Sequence, residues 1–163
     1  MFSPSETFDA SMEDSLGDAF KYFIVILTIY AVLSAIRAAV AFLLIGGMFG
    51  LGMPFYVVVP FVVGIIGGII GIFIVGPWLH IWVCLFGGRN GLVQTIKAVI
   101  YGETPALLLG WIPIVNYIAM IWSIILGIIG LRQLHGLPTG KAVLAAIPAL
   151  IFIAAVIYGG LYL

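Results

Sequence analysis

Between Phe20 and Leu163 the sequence carries seven charged residues, and most of them fall in two short gaps between apolar runs. About 20 consecutive apolar residues are enough to cross a bilayer, and nearly every such window in this region qualifies. Lipid is therefore the solvent for most of the chain. The whole sequence is 64% hydrophobic and 7% charged, where a soluble domain carries roughly 25% charged residues. No basic patch exists that could track phosphates, so nucleic acid is excluded as a partner. Cys84 is the single cysteine, and His80 and His135 are the only histidines. An intrachain disulfide is thus impossible, and neither a structural metal nor a cofactor is expected.

The polar residues are concentrated in 1–19. Ser3-Pro4-Ser5-Glu6 has the form of a capped helix start. Phe8, Met12 and Leu16 then recur every four residues beside Asp9, Glu13, Asp14 and Asp18. This pattern predicts a short amphipathic helix lying along the membrane surface. Its acidic face is repelled by anionic headgroups and suits a protein partner better. The segment lacks the basic and early apolar regions of a cleaved signal, so the first apolar run is expected to stay in the membrane.

Residues 20–163 read as a five-span membrane domain. The spans are expected at Phe20–Gly46, Tyr56–Phe86 (with a kink at Gly76-Pro77), Val93–Trp111, Val115–Leu134 and Lys141–Leu163. A re-entrant stretch between Gly46 and Pro60 would change that count. With the N-terminus in the cytoplasm, Lys21, Arg89, Lys97, Arg132 and Lys141 lie near the inner face, and only Arg37 lies toward the outer one. That asymmetry predicts an inside N-terminus and an outside C-terminus. The fold class is an all-α polytopic membrane helix bundle of five transmembrane helices plus the N-terminal interfacial helix.

From His80 onward the order of motifs is specific. Leu85-Phe86-Gly87-Gly88-Arg89-Asn90-Gly91 leads to Gln94-Thr95-Ile96-Lys97, then to Tyr101-Gly102-Glu103-Thr104-Pro105 and Ile121-Trp122-Ser123. Gly130-Leu131-Arg132-Gln133-Leu134-His135-Gly136 and Gly140-Lys141-Ala142 close the series. This order resembles the Yip family of Ypt/Rab-interacting multispan proteins, in particular its short archaeal and bacterial members. The likeness is carried by residues 77–150 and by the opening Ser-Pro-Ser-Glu-Thr-Phe. It implies five spans and a cytoplasmic N-terminus, in a prokaryotic plasma membrane. Eukaryotic relatives act in membrane traffic and bind Rab-type GTPases, through N-terminal regions much longer than the 19 residues here. The function implied is non-catalytic: organising membrane proteins or traffic through cytoplasmic and intramembrane contacts. The contact surface expected is the acidic helix with residues 87–90 and 135–140.

A few polar groups offer an alternative, a small oligomeric transporter or channel. Ionisable residues at membrane depth cost roughly 2.5–3.5 kcal/mol by insertion scales, which makes each a functional candidate. His80 lies about seven residues before the Gly87 break and Glu103 about seven beyond the end of that loop, both roughly 10 Å deep by helical rise. They form a candidate intramembrane pair, structural or working. Arg37 sits about 15 Å of depth from Glu103 by the same arithmetic and is expected to snorkel to the outer headgroups. Arg89, Arg132, His135 and Lys141 are candidate interface anchors for lipid headgroups. Gly64, Gly67, Gly68 and Gly71 form overlapping Gly-xxx-Gly pairs. They suit close helix packing, within the protein or between protomers of a homo-oligomer, or the wall of a groove for lipid or solute. Pro77 and Pro105 are the expected kinks. Residues 136–142 miss the P-loop spacing, no metalloprotease or nucleophile-elbow motif occurs, Ser34 and Ser123 have no base, and Cys84 reads as a small filler. No enzyme is expected.

Overall fold

A computed structural model describes residues 4–46 and 53–161, and every regular element in it is helical. That is the outcome hydrocarbon imposes, since a helix satisfies its own backbone groups where no water can. The elements are α1 (Pro4–Ala10), α2 (Leu16–Ala41), α3 (Met53–Leu85), α4 (Leu92–Gly102), α5 (Thr104–Leu109), α6 (Val115–His135) and α7 (Thr139–Leu161). A π-helical turn, Phe42–Gly46, extends α2. Among the described residues, three stretches are long and apolar enough to cross a membrane: Leu16–Leu44, Val57–Leu85 and Val115–His135. The described apolar part of α7, Thr139–Ala155, is shorter. Residues such as Val25, Ile36, Val63 and Ile66 are exposed, and an outward apolar face is what lipid requires.

The third expected span is not one helix. Pro105 has no N–H for the Tyr101 carbonyl, which accepts instead from Thr104 Oγ1 at 2.9 Å. The Ala106 N–H leaves the helix ladder and donates to Ser123 Oγ of α6 at 2.9 Å. The chain therefore breaks at Glu103, between α4 and α5. Pro105 acts as expected, at the first turn of α5. By contrast, α3 runs on as one element through Pro60 and Pro77. Helix is already present from Met53, so the re-entrant alternative is left with residues 47–52, outside the described residues.

α4 is the hub. Its Ala98 belongs to a core with Phe8, Leu79, Val83, Leu131, Leu134 and the small face Ala142, Ala145 and Ala149 of α7. Its Ile96 and Ile100 belong to a second core with Ala19, Phe23, Leu27 and Ile72. Close approach is set by glycine at several points. A Cβ on Gly68 would lie 2.6 Å from Leu27 Cδ1, and one on Gly102 would lie 2.9 Å from Gly127 Cα.

The N-terminal reading needs correction. α1 ends at Ala10, Met12 is exposed, and Leu16 already opens α2, so the four-residue stripe does not continue. Phe8 is buried instead, so close to Gly130 that a Cβ there would meet its ring at 2.7 Å. The helix is docked on α6, where one aromatic anchor finds a glycine-floored seat. Ser3, its expected cap, lies outside the described residues.

The α5–α6 turn holds Ile114 at φ 71 and ψ −51, closed by a Val115 N–H to Pro113 C=O bond of 2.9 Å. This is a strained γ-turn at a β-branched residue. Replacing Ile114 with glycine should stabilise the protein by about 1 kcal/mol through relief of that strain. Gly102→Ala should cost roughly 1–3 kcal/mol by forcing α4 off α6, whereas Gly127→Ala, with open space at its Cβ position, should be near neutral. Thermal unfolding in mild detergent checks all three variants.

Candidate functional site

Glu103 occupies the break between α4 and α5, a position no continuous helix would leave open. It lines two adjoining cavities. One, of about 70 Å³, lies among α3, α4, α6 and α7, with Val75, Leu79, Ser123 and Ile153 in its wall. The other, of about 250 Å³, lies against α2 and α3 and is walled by Phe23, Leu27, Gly68, Gly71 and Leu107. Glu103 is exposed to this space, and no side chain hydrogen-bonds or ion-pairs with it among the described residues. Arg37 is ten residues beyond Leu27 on α2, roughly 15 Å by rise, so it is no counter-ion. Of the four glycines singled out in the sequence, Gly68 and Gly71 line this cavity, and Gly68 also receives Leu27. Gly64 and Gly67 have open space where a Cβ would stand.

His80 does not hydrogen-bond to Glu103. Its Nδ1 lies 2.8 Å from Thr95 Oγ1, and the same hydroxyl lies 2.9 Å from His135 Nε2. Sequence counting placed Glu103 at the depth of His80, but it is Thr95 that stands level with His80. Glu103 lies eight residues, roughly 12 Å, farther along α4. Thr95 is fully buried, and its hydroxyl has one proton. It can donate to one ring nitrogen while accepting N–H from the other, an arrangement that would couple the tautomers of the two histidines. Cys84 is exposed rather than a core filler, with Sγ 3.4 Å from His80 Nε2. His135 is buried, with Nδ1 unpartnered. It thus faces inward, where a headgroup anchor was expected. Among the described residues no group of three His, Cys, Asp or Glu is placed to hold a metal.

Sequence reasoning missed the role of Lys97. This residue is 1% exposed, with Nζ donating to the carbonyls of Ser11, Met12 and Asp14 at 2.7, 3.1 and 3.0 Å. One turn on, Tyr101 Oη donates to Asp14 Oδ2 at 2.6 Å, and Tyr22 Oη pairs with Thr104 Oγ1 at 3.0 Å. The signal was the i, i+4 spacing of Lys97 and Tyr101, which puts two polar heads on one face of an otherwise apolar helix. Their target, a run of carbonyls in a turn, leaves no trace in residue type.

At the end of the bundle formed by the α3–α4 and α6–α7 loops, Arg89, Arg132 and Lys141 are exposed, as anchors would be. Arg132 Nη1 reaches Thr139 Oγ1 at 3.4 Å. Asn90 Nδ2 donates to the Leu134 carbonyl at 2.6 Å and ties the two loops together. α1 packs on α6 near the same end.

Comparison with known proteins gives one match that covers nearly the whole chain. The family model described as the Yip1 domain matches residues 1–160. No curated protein and no solved structure matches the chain.

Lys97→Met should leave three carbonyls without their cation and loosen the N-terminal segment, at a cost of roughly 2–4 kcal/mol. Amide hydrogen exchange over residues 4–15 should rise sharply while α6 stays protected, and unchanged protection there would show that the ammonium does not hold the segment.

Proposed function

The chain belongs to the Yip1 domain family, and on that premise we propose that it is a non-catalytic integral membrane protein that organises other membrane proteins, or membrane traffic, through its cytoplasmic end. The observation that carries this reading is the fastening of the N-terminal segment. Three carbonyls on Lys97 and the buried Phe8 hold it against α4 and α6. Glu6, Asp9 and Glu13 remain exposed on it. A segment so fastened presents its acidic side chains in fixed positions. It does so at the end of the bundle where the α3–α4 and α6–α7 loops expose Arg89, Arg132 and Lys141. An ordered surface of mixed charge is suited to recognising a protein partner beside anionic headgroups.

In this reading the chain crosses the membrane five times, through α2, α3, the broken pair α4–α5, α6 and α7. The basic residues favour an inside N-terminus, and the resemblance to short prokaryotic members supports a prokaryotic plasma membrane. The second reading is a small oligomeric transporter or channel. It is supported by Glu103 at a helix break facing an apolar cavity, since broken helices at membrane depth commonly form substrate sites. His80 drops out of that site, because its partners are Thr95 and Cys84.

The triple variant Glu6→Lys, Asp9→Lys, Glu13→Lys separates the two readings. Only exposed side chains change, so the carbonyls that hold Lys97 are kept, whereas deleting residues 1–18 would remove them. Native mass spectra of protein taken gently from its host membrane should show a stoichiometric protein partner. The triple variant should lose that partner at least tenfold, with its melting temperature unchanged. A bare wild-type protein, or a partner retained by the variant, would count against the organising role.

A further inference from the structure

Glu103 is a carboxyl group among apolar walls with no partner among the described residues, and the chemistry of those walls narrows what can pair with it. Inorganic cations are poorly served. Calcium takes six to eight oxygen ligands, and magnesium demands near-ideal octahedral oxygen geometry. The only side-chain hydroxyl lining the adjoining cavity, that of Ser123, already accepts the Ala106 N–H. Anions are repelled by the carboxylate. A neutral hydrocarbon would fill the space but leave the polar carboxyl group without any partner, at a cost in a medium of low dielectric. An organic cation with a hydrocarbon body satisfies both parts of the site. Its charge pairs with Glu103, and its body lies against Phe23, Leu27, Ile72 and Leu107.

The cavity of about 250 Å³ lies below the usual range for drug-sized ligands. That size sets the ligand as a small or narrow amphiphile. The room comes from α3: Gly71 has nothing within 4 Å of where a Cβ would stand, so a larger residue there would project into the space without displacing any helix.

We propose that Glu103 recognises the charge of a lipophilic organic cation, a quaternary ammonium on a hydrocarbon body, in the cavity between α2, α3 and α4 walled by Gly68 and Gly71. The proposal rests on the cavity of the transport reading and names the ligand class of that site, but it requires binding alone.

The test is equilibrium binding of octyltrimethylammonium to the purified protein in neutral detergent, followed by calorimetry. Wild type should bind one equivalent saturably. Glu103→Gln should bind at least tenfold more weakly. Gly71→Val, which keeps the carboxylate and fills the cavity, should weaken binding similarly. Gly64→Val, on the same helix with open space at its Cβ position and outside the cavity, should bind as wild type does. The proposal is overturned if wild type shows no saturable binding, if either the Glu103 or the Gly71 variant binds equally well, or if uncharged 1-octanol competes as tightly as the cation. Saturable, Glu103-dependent binding without flux in proteoliposomes would retire the transport reading and leave the binding site standing.

Discussion

In hydrocarbon a polar group finds its partner inside the protein or pays the full cost of desolvation. That constraint shapes each irregular feature of the chain. When Pro105 withholds its N–H, Thr104 serves the Tyr101 carbonyl and Ser123 takes the Ala106 N–H. When α4 buries an ammonium, the turn after α1 offers it three carbonyls. When two histidines lie among apolar helices, the Thr95 hydroxyl bridges them. Glu103 departs from this pattern, as do His135 Nδ1, Ser34 Oγ and the indole N–H groups of Trp78 and Trp82, none of which has a partner among the described residues.

The hub position of α4 follows from the same rule. α4 is too short to cross a bilayer, and almost every side of it is covered, by α2 and α3 toward one core and by α6 and α7 toward the other. Two of its polar residues are matched to neighbouring elements. Thr95 joins it to α3 and α6, Lys97 joins it to the N-terminal turn, and Glu103 ends it. The N-terminal segment is in this sense part of the membrane domain: Phe8 fills its core and Lys97 is satisfied by its backbone. A functional surface built on that segment inherits the rigidity of the bundle, which is what a protein that organises partners needs.

Much of the fold could be read from residue types. The long apolar runs located α2, α3, α6 and α7 to within a few residues, because length and hydropathy are enough to mark a helix in lipid. Pro105 was legible as a break, since a missing N–H is a local property. The depth of Glu103 was not. It depends on the level at which α4 packs against α3, where Thr95 rather than Glu103 meets His80. The end of α1 was likewise hidden, because a four-residue stripe looks the same whether the helix continues or only its first anchor is used.

The sequence by itself determined the solvent, the all-helical class and the family, because composition, run length and motif order are properties of the chain alone. It also singled out Glu103 as a residue that must answer for its cost. Tertiary structure decided the partners: Thr95 rather than Glu103 for His80, backbone carbonyls rather than water or lipid phosphate for Lys97, and an open cavity for Glu103. Hydrogen-bond partners depend on the relative level of neighbouring helices to within a few ångströms. That level is set by how Gly68, Gly102 and Gly130 let the helices close together, and not by any one segment read alone.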